Sequence, residues 1–83
     1  MFYTYVLKSQ KDGKFYIGST GNLERRVKAH NSGKVRSTKG RRPLKLIYYE
    51  SFLMKTEARK RENFYKSGFG RKDLKEKLEG MEG

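Results

Sequence analysis

A β-hairpin is predicted by residues 2–20, which read FYTYVLKSQKDGKFYIGST. Phe2–Leu7 and Phe15–Ser19 are rich in the β-branched and aromatic residues that favour strands, and both runs alternate in character. Asp12-Gly13 lies between them, and an Asp-Gly pair flanked by such runs is a strong signal for a tight turn. These residues decide the fold class, because they start the chain with two antiparallel strands.

The register of this hairpin brings two tyrosines together. If the loop is Gln10–Gly13, Leu7 lies opposite Tyr16, whereas a two-residue turn would keep the face but slide the two tyrosine rings further apart. The four-residue loop also places Tyr5 opposite Gly18, so that Tyr5 and Tyr16 point to one face of the sheet as diagonal neighbours ~7–8 Å apart. Gly18 leaves open the space opposite Tyr5, and we expect a ligand to approach the backbone there. The alternative is that the two rings are ordinary core or rim aromatics.

The residues after the hairpin predict a helix and a third strand. Apolar residues recur at helical spacing over Asn22–Ser32, where Thr20 or Asn22 can cap the start and Gly33 suits the position after the end. Leu44–Phe52 then alternates between apolar and polar residues, which is typical of a strand with one buried face.

Two further helices complete the pattern. Thr56–Ser67 is predicted to be capped by Thr56 and to end before Gly68, and Arg71–Glu79 is predicted to form a short third helix. The order is ββαβαα. We therefore predict an α+β fold with a three-stranded, mainly antiparallel sheet flanked by helices, forming one domain over residues 1–83.

Basic residues dominate the composition. The 83 residues include 21 Lys+Arg against 9 Asp+Glu, for a formal net charge of +12 and a pI near 10.1. This charge favours nucleic acid as the partner, although membrane surfaces and acidic proteins would also be attracted. The absence of cysteine excludes disulfides and thiolate zinc sites. Because the chain has no apolar run of ~20 residues and no signal-peptide features, we expect a cytoplasmic protein without a membrane partner.

A basic stretch between the first helix and the third strand is the predicted nucleic-acid contact. Residues 34–42 have no apolar pattern and predict an exposed loop, so they offer phosphate contacts but no base-reading helix. The alternative is a solvated loop that only keeps the protein soluble. The candidate binding residues are Lys34, Arg36, Lys39, Arg41 and Arg42, with Arg71 of the third helix.

Two polar residues flank the apolar stripe of the first helix. A helical wheel places Arg26 and His30 next to the stripe formed by Leu23 and Val27, whereas Arg25 faces solvent. Arg26 either packs its stem and extends its charge to water, or presents the guanidinium to an anion. For His30, the alternative to a functional role is a partly buried histidine whose hydrogen bonds are satisfied.

A carboxylate lies on the inward face of the second helix. The same wheel places Glu62 beside Ala58, where a buried charge is unfavourable unless it is paired or bound to a metal. The alternative to a metal site is an ion pair with Lys66, four residues later, or with Arg59 or Arg61. Taken together, inward Tyr, Arg, His and Glu side chains supply a proton acceptor, a cation, a polar helper and a metal ligand, as phosphodiester hydrolysis requires.

The same residues resemble a known family. The resemblance rests on four motifs that occur in order along nearly the whole chain, and it identifies the chain as similar to the GIY-YIG nucleases, most of all the small stand-alone bacterial members. The motifs are Tyr3-Thr4-Tyr5-Val6-Leu7, Phe15-Tyr16-Ile17-Gly18-Ser19-Thr20, Asn22-Leu23-Glu24-Arg25-Arg26-Val27-Lys28-Ala29-His30 and Arg61-Glu62-Asn63-Phe64-Tyr65.

The resemblance implies a role for each candidate residue. Tyr16 would be the general base or its relay, and Tyr5 would orient the water or touch the scissile phosphate. Arg26 would stabilise transition-state charge, with His30 as a polar helper. Glu62 would hold one divalent ion, Mg²⁺ or Mn²⁺, with water completing its coordination.

The resemblance also implies a substrate and partners. DNA is the expected substrate, with RNA left open, and no small-molecule cofactor is expected. The first motif keeps only its last residue, Tyr5, and the domains that read DNA in relatives of known specificity have no counterpart here. We therefore expect a protein partner to supply specificity, a repair- or recombination-related role and a location that includes the nucleoid. A non-catalytic nucleic-acid-binding module on the same fold, or a basic protein docked on a larger assembly, is the alternative.

Overall fold

The protein has the predicted α+β architecture and the order ββαβαα. The computed structural model describes residues 1–82, in which none of the helices is long and apolar enough to cross a lipid bilayer. The strands are Phe2–Ser9 (β1), Phe15–Thr20 (β2) and Leu44–Phe52 (β3), and the helices are Leu23–Asn31 (α1), Lys55–Lys66 (α2) and Gly68–Glu82 (α3).

The sheet is antiparallel throughout, with strand order β2-β1-β3. The predicted hairpin register is confirmed: Tyr5 pairs with Gly18 and Leu7 with Tyr16. A bulge interrupts the pairing of β1 with β3 beside Val6, and the extra residue is Ile47. The central strand β1 is consequently hydrogen-bonded on both sides, whereas β2 and β3 form the edges.

Helices cover both faces of the sheet. On one face, Tyr5 and Leu7 of β1 pack against Leu23 and Val27 of α1. The other face is covered by α2 and α3, whose buried residues Tyr65, Leu74 and Leu78 form a cluster with Val6. Since successive side chains of β1 point in opposite directions, the sheet separates two small apolar cores. We refer to these faces as the α1 face and the α2/α3 face.

The boundary between the last two helices differs from the prediction. Helix α2 begins one residue before Thr56, and its N-cap is Met54, without a side-chain cap. Thr56 as the N-cap was therefore wrong. Helix α3 starts at Gly68 rather than Arg71, because the hydroxyl of Ser67 accepts a hydrogen bond from the Gly70 N–H (3.2 Å). A single residue, Ser67, thus separates the two helices.

The basic stretch of residues 34–42 is more ordered than the predicted exposed loop. Lys39–Arg41 forms a 3₁₀ turn, and Thr38 is completely buried. The Ser9 hydroxyl donates to the Arg41 carbonyl (2.7 Å), and the Arg41 side chain forms an ion pair with Asp12 (3.3 Å). These contacts attach the stretch to the turn end of the hairpin.

Candidate active site

Tyr5 is the buried centre of the candidate site. Its side chain has no exposed surface, and its ring passes over Gly18 on the neighbouring strand. A Cβ atom at position 18 would lie 2.5 Å from the Tyr5 hydroxyl oxygen, which leaves no room for it. The prediction that a ligand approaches Gly18 was therefore wrong, because the side chain of Tyr5 fills that space.

A chain of hydrogen bonds runs from α1 through Tyr5 to the basic stretch. Arg26 Nε donates to the Tyr5 hydroxyl (3.4 Å), which lies 2.9 Å from His30 Nε2. His30 Nδ1 lies 2.8 Å from Thr38 Oγ1, and the Thr38 hydroxyl donates to the Val35 carbonyl (3.4 Å). We assign one direction to the chain, with Tyr5 donating to Nε2 and Nδ1–H donating to Thr38, because only this assignment gives every buried proton an acceptor.

Burial sets the charges along this chain. Loss of hydration raises the pKa of Tyr5 to about 12, so its hydroxyl remains protonated near neutral pH. Burial, together with the nearby Arg26 charge, lowers the pKa of His30 to about 4, so the imidazole is neutral. The hydrogen bond to Tyr5 in turn helps to raise the pKa of Arg26 above its ordinary value. Arg26 is consequently the one charged member of this chain of hydrogen bonds.

The neutral His30 makes stability depend on pH. The unfolded chain binds a proton at His30 below about pH 6.5, whereas the folded protein does so only near pH 4, so acid favours the unfolded state in this window. We expect the free energy of unfolding to fall by about 2 kcal/mol between pH 7 and pH 5 on this account. Urea unfolding at several pH values, compared with His30→Gln, measures the difference.

The comparison with His30→Gln separates this effect from that of the carboxylates. The pKa values of Glu50 and Glu62 lie below their ordinary range, so the stability that these two carboxylates contribute is lost only at lower pH. This loss is the same in the wild type and in His30→Gln. Equal slopes for wild type and His30→Gln between pH 7 and pH 5 would contradict a neutral, buried His30.

Tyr16 and Arg26 are the partly exposed members of the cluster on the α1 face. The ring of Tyr16 lies 6.4 Å from Tyr5 and 4.9 Å from His30 between centroids, and its hydroxyl contributes to the raised pKa of Arg26. Tyr5 and His30 have no exposed surface, so neither can touch a phosphate in this conformation. Within this cluster, Tyr5 and His30 are therefore the buried members, and Arg26 and Tyr16 the ones that solvent can reach.

Glu62 approaches from the other face of the sheet. The Ser19 hydroxyl donates to Glu62 Oε1, and Lys66 Nζ donates to Oε2, each at 2.6 Å. Although partial burial opposes ionisation, the bonds from Lys66 and Ser19 outweigh it, and the pKa of Glu62 lies below its ordinary value. Ser19 follows Gly18 in β2. Tyr5 lies over Gly18 on one face and Glu62 contacts Ser19 on the other, so strand β2 separates Glu62 from Tyr5. The i,i+4 ion pair that was the alternative role of Glu62 is therefore present.

The chemistry of Glu62 also fits one divalent cation. Its carboxylate is ionised, and within residues 1–80 there is no cluster of three or more acidic or histidine residues that could form a larger site. Mg²⁺ is commonly held by one or two carboxylates with several waters. Lys66 is half-exposed, and such pairs contribute ~1 kcal/mol or less, so Lys66 can yield its place to a cation.

The structure divides the predicted nucleic-acid-binding residues into two groups. Lys34, Arg36, Lys39 and Arg42 are exposed beside α1, and Arg42 Nε donates to the Lys39 carbonyl (2.8 Å). Arg41 is half-buried by its contacts with the hairpin and lines the same groove as Arg71, which lies on α3 at the α2/α3 face. The predicted residues therefore form one group beside α1 and a second group, Arg41 and Arg71, at this groove.

A network around Glu50 was missed from the sequence. Glu50 accepts hydrogen bonds from the hydroxyls of Tyr48 and Tyr65 and forms an ion pair with Arg61 (2.8 Å), which therefore does not pair with Glu62. Lys77 lies 3.8 Å from the same carboxylate, so the network joins β3, α2 and α3. Its signal was present, since Tyr48 and Glu50 are two residues apart on one strand and share a face.

The chain matches a known protein family over most of its length. The GIY-YIG catalytic domain matches residues 1–76, and the chain belongs to this family. Among its relatives are a UPF0213 protein of Clostridium perfringens, 51% identical over 67 residues, and the UPF0213 protein YazA of Bacillus subtilis, 49% identical over 63 residues. These matches cover 80% and 75% of this chain and 71% and 63% of the two relatives, so the chain spans less than two thirds of YazA.

A solved structure shares the fold. The solution NMR structure of a UPF0213 protein from Bacillus halodurans has a TM-score of 0.54 and 37% sequence identity, and the match covers 89% of this chain and 82% of that one. The label UPF0213 names no activity, so the function rests on the GIY-YIG domain and on the site itself.

Proposed function

We propose that this protein hydrolyses phosphodiester bonds in DNA with the help of one divalent metal ion. The observation that carries the proposal is the state of Arg26. Within residues 1–80 its guanidinium forms no ion pair with a carboxylate, and its hydrogen-bond acceptor is the neutral hydroxyl of Tyr5. A partly exposed cation held in place without a counter-ion suits a phosphate group. Membership of the GIY-YIG family supports the reaction class.

The side chains divide the reaction between them. The Tyr16 hydroxyl accepts a proton from a water molecule as it passes its own proton to solvent, the water oxygen bonds to phosphorus, and the bond from phosphorus to the leaving oxygen breaks. Solvent returns a proton to the leaving oxygen. Arg26 stabilises the negative charge that develops on the phosphate oxygens, while Tyr5 and His30 hold Arg26 in place.

Glu62 would hold the metal ion, Mg²⁺ or Mn²⁺. The bound ion supplies charge neutralisation at the phosphate. Glu62 itself contributes an ionised carboxylate whose orientation is set by Ser19.

A non-catalytic nucleic-acid-binding module is the second candidate. The Glu62–Lys66 ion pair favours it, because a paired carboxylate needs no metal to be stable. Nicking of supercoiled plasmid DNA with Mg²⁺ or Mn²⁺, with a chelator added to a parallel sample and labelled RNA as a second substrate, separates the two functions. Nicking that depends on the metal supports the enzyme, and DNA binding without any cleavage supports the module.

Removing Arg26 should strongly slow the reaction. We expect Arg26→Ala to reduce single-turnover cleavage by ~10²–10³-fold, because one preorganised charge stabiliser is lost. Arg26→Lys should recover only part of the rate, because an ammonium group cannot reproduce the planar fork. The measurement is the cleavage rate at saturating DNA.

Arg25→Ala is the matched control. Arg25 is the exposed neighbour of Arg26 on α1, so replacing it with alanine removes the same charge from the protein. If Arg25→Ala slowed cleavage as much as Arg26→Ala, net charge rather than the position of Arg26 would explain the effect.

A further inference from the structure

A groove on the α2/α3 face has chemistry that the proposed reaction does not use. It has a volume of about 700 Å³, within the range of ligand-binding clefts, and lies between the hairpin and α3. We name it the hairpin–α3 groove. Its lining includes Lys14, Phe15, Ile17, Arg71, Leu74 and Lys75.

The rim of the groove is strongly basic. Five of its lining residues are Lys or Arg, and Glu79 is the one acid. In the part of the chain that the structure describes, Lys14, Arg71 and Lys75 form no ion pair. Their charges are therefore available to an anionic partner.

The floor of the groove is apolar and includes an exposed aromatic ring. Ile17 and the buried Leu74 belong to the apolar core of this face, whereas Phe15 is 42% exposed. An aromatic ring beside cations is the combination that binds single-stranded nucleic acid, since bases stack on the ring and phosphates contact the charges. The bases of a duplex are already stacked on one another, so a duplex makes no use of Phe15.

The groove is close to the candidate active site along β2. Phe15 directly precedes Tyr16 in β2. Successive residues of a strand are about 3.3 Å apart along its axis, and their side chains point to opposite faces of the sheet. Because β2 is an edge strand, a DNA strand can pass around it from one face to the other.

We propose that the hairpin–α3 groove binds an unpaired DNA strand adjoining the cleaved bond, so that the substrate is a branched or single-strand-tailed duplex. This inference rests on the proposed function and names its substrate class.

Binding of the intact protein to labelled DNA tests the inference. Fluorescence anisotropy in the presence of a chelator, so that no cleavage occurs, compares a blunt duplex with the same duplex carrying a ten-nucleotide dT tail. We expect the tail to strengthen binding and Phe15→Ala to weaken binding of the tailed duplex by ~5–100-fold, with the blunt duplex unaffected. Arg71→Gln with Lys75→Gln should flatten the salt dependence for the tailed duplex by ~0.7 per lost contact.

Matched variants on the same helix serve as controls. Phe69→Ala removes a phenylalanine that is 88% exposed outside the groove, and Lys72→Gln removes an exposed charge of α3. Neither should change binding of the tailed duplex. Circular dichroism checks that each variant is folded, and the charge variants test the groove even if Phe15→Ala unfolds.

Two results would overturn the inference. One is equal affinity for tailed and blunt duplexes, and the other is binding of an acidic peptide that depends on Phe15 while the tail has no effect.

Cleavage assays distinguish failure of this inference from failure of the proposed function. If the protein cleaves tailed and blunt DNA equally well, only the role of the groove is contradicted. If the protein binds the tail but never cleaves DNA, the proposed reaction is contradicted and the groove remains a binding site.

Discussion

Glu62→Gln should reduce metal-dependent DNA cleavage by about 10³-fold or more. Glutamine keeps the size of the side chain and can still accept a hydrogen bond from Ser19, but it loses the charge that binds a divalent ion. A metal ion supplies several kcal/mol of transition-state stabilisation, and ~4 kcal/mol corresponds to about 10³-fold in rate. The measurement is plasmid nicking over a series of Mg²⁺ concentrations.

The stability of the same variant distinguishes a metal ligand from a structural ion pair. Lys66 is half-exposed, so we expect the loss of its pair with Glu62 to lower the free energy of unfolding by ~1 kcal/mol or less. Glu57→Gln, which removes an exposed acid from the first turn of α2, is the control and should leave cleavage unchanged. A Glu62→Gln protein that is much less stable, yet fully active per folded molecule, would refute the metal-ligand role.

Lys66 provides a complementary readout that does not require cleavage. If a cation takes the place of Lys66 on Glu62, Lys66→Gln should strengthen Mn²⁺ binding, measured by paramagnetic broadening of nearby resonances. Unchanged or weaker Mn²⁺ binding by this variant would place the ion elsewhere.

Tyr16→Phe should slow single-turnover cleavage by ~10²–10⁴-fold, as is typical for loss of a general base. The ring remains, so its contacts with Tyr5 and His30 are kept and stability should change little. Cleavage rates at saturating DNA and urea unfolding of both proteins give the two quantities.

Tyr49→Phe is the control for the loss of a tyrosine hydroxyl. Tyr49 is 53% exposed on the opposite edge strand, and its ring makes an edge-to-face contact with Tyr3. We expect it to cleave DNA like the wild type. If Tyr16→Phe also cleaved like the wild type, Tyr16 would have a packing role only.

Features set by neighbouring residues were predictable from the sequence. The four-residue loop over Gln10–Gly13 leads to the observed hairpin register, and Asn22 caps α1 as expected, its side chain accepting from the Arg25 N–H. Gly33 has φ +79°, which suits the residue after a helix end, and β3 has the predicted bounds. Each of these depends on interactions within a few residues, which periodicity and capping preferences describe well.

Features set by distant contacts were not predictable. Nothing near Thr38 indicates that it is buried against His30, because the contact forms only when residues 34–42 fold back on α1. The start of α3 depends on the close approach of Gly70 to the Phe64 carbonyl, where a Cβ would overlap the oxygen. The inward positions of Arg26, His30 and Glu62 followed from helix periodicity, but their division between two faces of the sheet required the tertiary structure.

The fit of Tyr5 over Gly18 has a consequence for redesign of this protein. Any side chain at position 18 displaces the Tyr5 ring, and with it the hydroxyl that orients Arg26 and His30. A library that varies the two positions independently therefore discards most of its members, whereas one that changes them as a pair keeps the space filled. For directed evolution, positions 5 and 18 are best encoded together on one mutagenic cassette.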